Sequence, residues 1–197
     1  MLTVACVYKT GGDYTAEYVA RLRAGVERHL TGGEWACVSD DPKVATHRLF
    51  HGWPGWWSKI ELFRLFAGPT LYLDLDTVIT GDLSEIAAAA ERYPFVMLSD
   101  FFHPRRAQSG VMAWHGDQSP IYREFADAPG QHMMACRVPD RWGDGGFVAQ
   151  MKPDAARWQD VAPGQIVSRK VAATRNPDER VVCFHGRPRP HEVGWRV

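Results

Sequence analysis

Thr70-Leu71-Tyr72-Leu73-Asp74-Leu75-Asp76-Thr77-Val78-Ile79 is the stretch whose reading decides the fold. It is apolar and β-branched, opened by Gly68-Pro69 and closed by Gly81-Asp82, the pattern of a buried strand. Asp74 and Asp76 stand at i and i+2, so an extended backbone turns both carboxylates to one side. At the end of a central strand they converge on a spot that a ligand can reach. Like charges that close repel unless a cation sits between them. Hard oxygen donors favour Mg²⁺ or Mn²⁺, with coordination positions left over for the oxygens of a diphosphate. The plainer alternative makes the pair a turn and a helix cap. Asp82 suits the cap better, directly before Leu83-Ser84-Glu85-Ile86 and the alanines at 87–90.

At 197 residues the chain reads as one domain, large enough to bury roughly 70% of its unfolded surface. Its 45% apolar and 23% charged residues are ordinary for a globular protein. The net charge is zero, so no broad field draws nucleic acid or an anionic membrane, and any anion affinity must be local. Eight Trp are many for this length, and several are expected to line a binding cleft. Cys6, Cys37, Cys136 and Cys183 fit neither a zinc spacing nor a disulfide framework. The N-terminus enters a strand without a basic leader, and no apolar run is long enough to span a membrane. The expected location is therefore cytoplasmic.

Along the chain, residues 2–8 read as a strand and 14–30 as a helix with Tyr18, Leu22, Val26 and Leu30 on one stripe. A second strand covers 35–39, and Trp56–Phe66 reads as a helix carrying Lys59, Glu61 and Arg64. Later strands are expected at 95–98, 110–114 and 181–184, a helix from Pro120, and a glycine-rich loop over 142–148 leading into another helix. The whole is an α/β unit with a mostly parallel, Rossmann-like sheet, whose strand ends are where such sheets bind ligands. Tyr8, Lys9, Thr10 and Asp13 fall in the first strand-to-helix loop, where backbone N–H groups and a helix N-terminus favour a nucleotide. Asp40, after the second strand, could accept from a uracil or ribose, or could equally cap a turn before Pro42.

These pieces, in this order, resemble the glycosyltransferases of the GT-A fold, most of all the retaining glycogenin and galactosyltransferase-like family. The resemblance rests on the first strand and its loop, Trp57-Ser58-Lys59-Ile60, Leu71 to Asp76, and Ser109-Gly110-Val111-Met112. Gly143-Asp144 and the final His185-Gly186 with its Pro-basic-Pro run complete it. It implies that Asp74, Asp76 and His185 hold Mn²⁺, or Mg²⁺ in its place, against the diphosphate of a nucleotide sugar, UDP-linked in this family. An imidazole beside two carboxylates independently favours Mn²⁺. It further implies that Lys59 reaches the donor and that Ser109 and Gly110 border it. Asp144 would lie beneath the transferred sugar, and Arg189 or Arg187 would grip phosphate. The family's Gln beside that acid is Gly145 here, which also permits a plain turn. The partners implied are a nucleotide-sugar donor and a saccharide, protein or small-molecule acceptor. The short chain leaves room for a partner subunit or an oligomer to complete the site.

Three rivals use the same residues. Asp74 to Val78 also matches the nucleophile motif of haloacid-dehalogenase-type phosphohydrolases. That chemistry needs a lysine between its two acidic motifs, and none lies between Lys59 and Lys152. A nucleotidyltransferase shares the fold and metal logic, but its basic glycine-rich opening is only echoed by Lys9-Thr10-Gly11-Gly12. A degenerate carbohydrate-binding protein would keep the tryptophans and lose the chemistry.

Overall fold

The computed structural model describes residues 1–171 and 176–194. Its strands are β1 (Thr3–Tyr8), β2 (Glu34–Ser39), β3 (His47–Arg48), β4 (Thr70–Leu73), β5 (Thr77–Ile79) and β6 (Phe95–Ser99). They continue with β7 (Ala107–Trp114), β8 (Arg137–Val138), β9 (Arg141–Trp142), β10 (Ala156–Arg157), β11 (Ile166–Ser168) and β12 (Val181–Cys183). The helices are α1 (Ala16–His29), α2 (Leu62–Leu65), α3 (Ser84–Arg92), α4 (Ser119–Asp127), α5 (Pro129–Ala135), α6 (Gly143–Met151) and α7 (Trp158–Val161). Short 3₁₀ helices cover Gly55–Glu61 and Pro190–Val193.

The main sheet runs β10-β6-β7-β4-β1-β2-β3, and β7 is antiparallel to both its neighbours while the other pairings are parallel. That is the mostly parallel α/β sheet read from the sequence. Strict alternation in β1 shows why both faces are covered. Val4, Cys6 and Tyr8 join the core that α1 and α3 close, whereas Ala5 and Val7 join the aromatic core of Trp53, Trp57, Phe63 and Trp114. Helix α1 supplies its half through Tyr18, Val19, Leu22 and Val26, one stripe at helical spacing. Among the described residues no helix is long and apolar enough to cross a membrane.

The Asp74–Asp76 segment departs from its reading. It is not extended: Thr77 N–H and Thr77 Oγ both donate to the Asp74 carbonyl, at 3.1 and 2.7 Å, closing a turn. The chain there leaves the main sheet, and β5 pairs with β12 in a second, three-stranded sheet. A threonine hydroxyl does the work expected of a Gly or Pro. Residues 56–66 form mostly 3₁₀ turns rather than one α-helix. The glycine-rich loop is instead the first turn of α6, beginning at Gly143 with φ of 62°. Gly146 is small for packing: a Cβ there would lie 2.7 Å from the Arg141 carbonyl carbon. Asp82 is not itself the N-cap of α3, which is Leu83; it stands one residue earlier and accepts Ser84 N–H at 3.0 Å.

Candidate functional site

In this sheet β1, β2, β4, β6 and β10 all end along one edge, and β7, running the other way, begins there. Over that edge lies a cleft of about 770 Å³. Its lining takes in Lys9, Asp13, Lys59, Asp74, Asp76, Ser109, Gly110, Asp144, His185 and Arg189, all singled out from sequence.

The centre of the cleft is a buried charge network. Tyr72 alternates onto the aromatic face of β4, and the 3₁₀ helix carrying Lys59 and the helix α6 carrying Asp144 pack on that same face. Lys59 Nζ therefore meets Asp74 Oδ1 at 2.8 Å and Asp144 Oδ2 at 3.3 Å. The Tyr72 hydroxyl also donates to Asp74 Oδ1. Ser109 Oγ donates to Asp144 Oδ2 at 2.5 Å, brought there by an irregularity in β7. Leu98 pairs with Gln108 while its neighbour Met97 pairs with Met112, so residues 109–111 bulge towards Asp74. The Gly110 carbonyl then accepts Asp74 N–H at 2.8 Å.

Burial opposes the charge on Lys59, but the carboxylates of Asp144 and Asp74 outweigh it and hold the ammonium protonated well beyond its ordinary range. Burial pushes the Asp144 carboxyl upward, with Lys59 and Ser109 pulling against it. The Asp76 carboxyl is likewise raised, first by burial and then by the charge of Asp74.

The outer wall is made by the C-terminal segment. Arg189 Nη1 donates to Asp76 Oδ2 at 2.8 Å, and its Nη2 lies 3.2 Å from Asp13 Oδ2. Its guanidinium also covers the Tyr14 ring, 4.6 Å from the centroid. Tyr14 in turn donates its hydroxyl to Asp76 Oδ2 at 2.7 Å. Two side chains, Tyr14 and Arg189, thus converge on one oxygen of Asp76. Asp74 Oδ2 and Asp76 Oδ1 keep no hydrogen-bond partner among the described residues.

Several expected site residues stand elsewhere. Tyr8 is buried in the core beneath the cleft. Thr10 and Asp40 are occupied with each other: Thr10 N–H and Oγ donate to the two Asp40 oxygens at 2.8 and 2.9 Å. Asp40 therefore ties the first loop to β2, a structural task that its place after a strand did not distinguish. Arg187 is exposed, pairs with Glu192 and lies 3.7 Å from Asp13, outside the lining. His185 borders the cleft, but its Nε2 shares a hydrogen bond of 2.6 Å with Ser168 Oγ and its ring stacks on Phe101. Among the described residues no three His, Cys, Asp or Glu side chains form a ready metal cage.

The sequence reading passed over Tyr14, Tyr72, Trp56, Trp142, Arg105, Gln108 and Arg157, all of which line the cleft. The surplus of tryptophan was the one signal. Trp56 and Trp142, 53% and 60% exposed, lie in the lining, while Trp53, Trp57, Trp114 and Trp158 are core.

No protein-family model and no characterised protein sequence matches the chain. Solved structures do. The glycosyltransferase GlyE of Streptococcus pneumoniae TIGR4 superposes with a TM-score of 0.70 at 12% identity, over 96% of this chain and 56% of that one. The galactosyltransferase LgtC, solved in complex with donor and acceptor sugar analogs, gives 0.65 at 11% identity, over 95% of this chain and 88% of that one. The bifunctional glycosyltransferase WbbM gives 0.61 at 11% identity, over 96% and 46%. The chain spans little more than half the length of GlyE and less than half of WbbM. At such identities the likeness speaks for architecture, and the architecture of this chain is that of the GT-A-type glycosyltransferases.

Proposed function

We propose that the chain is a glycosyltransferase that moves a sugar from a nucleotide-diphosphate donor, UDP-linked, to an acceptor with retention at the anomeric carbon. The observation that carries the reading is the Asp74–Lys59–Asp144–Ser109 network on the floor of the cleft, at the carboxyl ends of the parallel strands.

The residues present fit a divalent cation in part. Asp74 and Asp76 each offer one unengaged oxygen, hard donors suited to Mn²⁺ or Mg²⁺. His185 fits only if it gives up Ser168, so Asp74 and Asp76 are the holders we assign. Bound there, the cation would neutralise charge growing on the departing diphosphate.

The chain's own groups do the rest. Arg189, whose guanidinium spans Asp76 and Asp13, is placed to take up phosphate oxygens in a bidentate grip. Asp144, aimed by Ser109 and Lys59, would in its ionised form offset positive charge developing on the sugar as the glycosidic bond lengthens. Lys59 prevents the two acids from repelling one another and fixes both in one orientation. Tyr14 and Tyr72 donate to Asp76 Oδ2 and Asp74 Oδ1 and so orient the two carboxylates. Thermal denaturation with a panel of nucleotide sugars, with and without Mn²⁺, tests the reading. A donor at 100 times its dissociation constant adds about 2.7 kcal/mol of stability. No shift with any nucleotide sugar in either condition would overturn it.

A further inference from the structure

The cleft has two ends, and strand order tells them apart. The donor reading uses the β1–β4 half, with Lys9, Asp13 and Asp74. The β7-β6-β10 half is left over, and it is lined by arginine and tryptophan. Arg157 closes β10 at the cleft edge, and Arg105 projects from the loop between β6 and β7. Neither has an ion-pair partner among the described residues.

Two buried atoms at this end also want partners. Arg157 Nη1 is a donor and Gln108 Oε1 an acceptor, and both are shielded from solvent with no hydrogen bond. A buried polar atom left unmade is costly, and with Arg189 Nε at the other end three such atoms belong to residues lining this cleft. Two acids, Asp100 and Asp140, line this end against three arginines, Arg105, Arg106 and Arg157. Asp100 Oδ1 is taken by the N–H groups of Phe102 and His103, at 2.8 and 2.7 Å. Asp140, 98% exposed, faces only Arg106 at 3.7 Å.

The exposed indoles of Trp56 and Trp142 belong to the same lining. Gly143 allows it: a Cβ there would come within 3.3 Å of Trp56 Nε1. Flat aromatic faces suit the C–H faces of a sugar ring, and guanidinium groups suit carboxylate or phosphate.

We infer that this end of the cleft takes an anionic saccharide as acceptor, its ring against Trp56 and Trp142 and its phosphate or carboxylate on Arg105 and Arg157. The inference rests on the proposed donor reading for its assignment as acceptor, and on the unpartnered atoms for its chemistry.

The test is ligand-observed NMR titration of the chain with methyl glucoside, methyl glucuronide and glucose 6-phosphate, with UDP and diamagnetic Mg²⁺ present to fill the donor end. At least one anionic sugar is expected to bind tenfold or more tighter than methyl glucoside, and the winner identifies carboxylate or phosphate. Arg105→Ala and Arg157→Gln should each shrink that ratio at least threefold. Equal binding of charged and neutral sugars, no binding of either anion, or an unchanged ratio in both variants would overturn the inference. Selective binding of an anionic sugar while UDP itself fails to bind would keep the pocket's chemistry and sink the donor reading instead.

Discussion

Asp74 and Asp76 are two residues apart, yet they belong to different machines. Asp74 is held from below, by a buried lysine and a buried tyrosine anchored in the aromatic core. Asp76 is held from outside, by Arg189 of the C-terminal segment and Tyr14 of the first loop. The turn between them sends the chain from one sheet to another, so the pair marks a seam. One side is preorganised by packing, which suits transition-state stabilisation. The other is assembled from the C-terminal segment through the ion pairs of Arg189 with Asp76 and Asp13, which suits a grip on phosphate.

Removing Lys59 should break that comparison most severely. Lys59→Met leaves Asp74 and Asp144 buried without their cation, and we expect unfolding to become easier by about 3–5 kcal/mol, with turnover lost. Unchanged denaturant midpoints would show that the floor is not held as described. Asp144→Asn is milder for the fold and should lower kcat about 10²–10³-fold while donor KM moves little. A matching rise in donor KM with kcat preserved would move Asp144 to the gripping side.

Arg189→Ala addresses the outer wall. Donor affinity is expected to fall about tenfold, or about 1.4 kcal/mol, with unfolding eased by less than in Lys59→Met because Tyr14 still donates to Asp76. Loss of folding in this variant would make the segment structural and erase the contrast with Lys59.

Acidification sharpens the contrast further. Burial raises the Asp144 carboxyl above its ordinary 3.8, so the ionised form that the chemistry uses disappears at a higher pH than for an exposed aspartate. The acid limb of kcat should therefore lie above 3.8 in the wild type and vanish from the residual rate of Asp144→Asn. A limb at or below that value in the wild type would contradict the assignment.

The smallest effect belongs to Asp40. Its bonds to Thr10 N–H and Oγ make Asp40→Asn a stability change of about 0.5–1.5 kcal/mol with turnover within about twofold. A collapse of donor binding would return Asp40 to the nucleotide site.

The contrast between the two sides also explains what the sequence could and could not tell. Segments whose own periodicity carries their burial were readable: β1, α1, β2 and β6 stand within two residues of expectation. The two-residue strands β3 and β10 have no period to read and exist only through their pairing with β2 and β6. The Asp74–Asp76 turn was misread as strand because its closing bond comes from a threonine hydroxyl, which is equally at home in a strand. Lys59 and Asp144 were legible as candidates, but their meeting was not. It depends on two helices choosing the same face of the sheet. Tyr72 went unnoticed because an aromatic in an apolar run looks like core until its hydroxyl finds a carboxylate, and Tyr14 because it reads as the first residue of a helix. Arg105 and Arg157 lie 52 positions apart and meet one cleft only through the order of strands.

The most direct test of the central claim is release of UDP from UDP-galactose and UDP-glucose by the purified chain, measured with Mn²⁺, with excess chelator, and in Asp76→Asn. Slow release that requires the cation and disappears in the variant is the predicted result. Release that continues undiminished in chelator and in Asp76→Asn would contradict it.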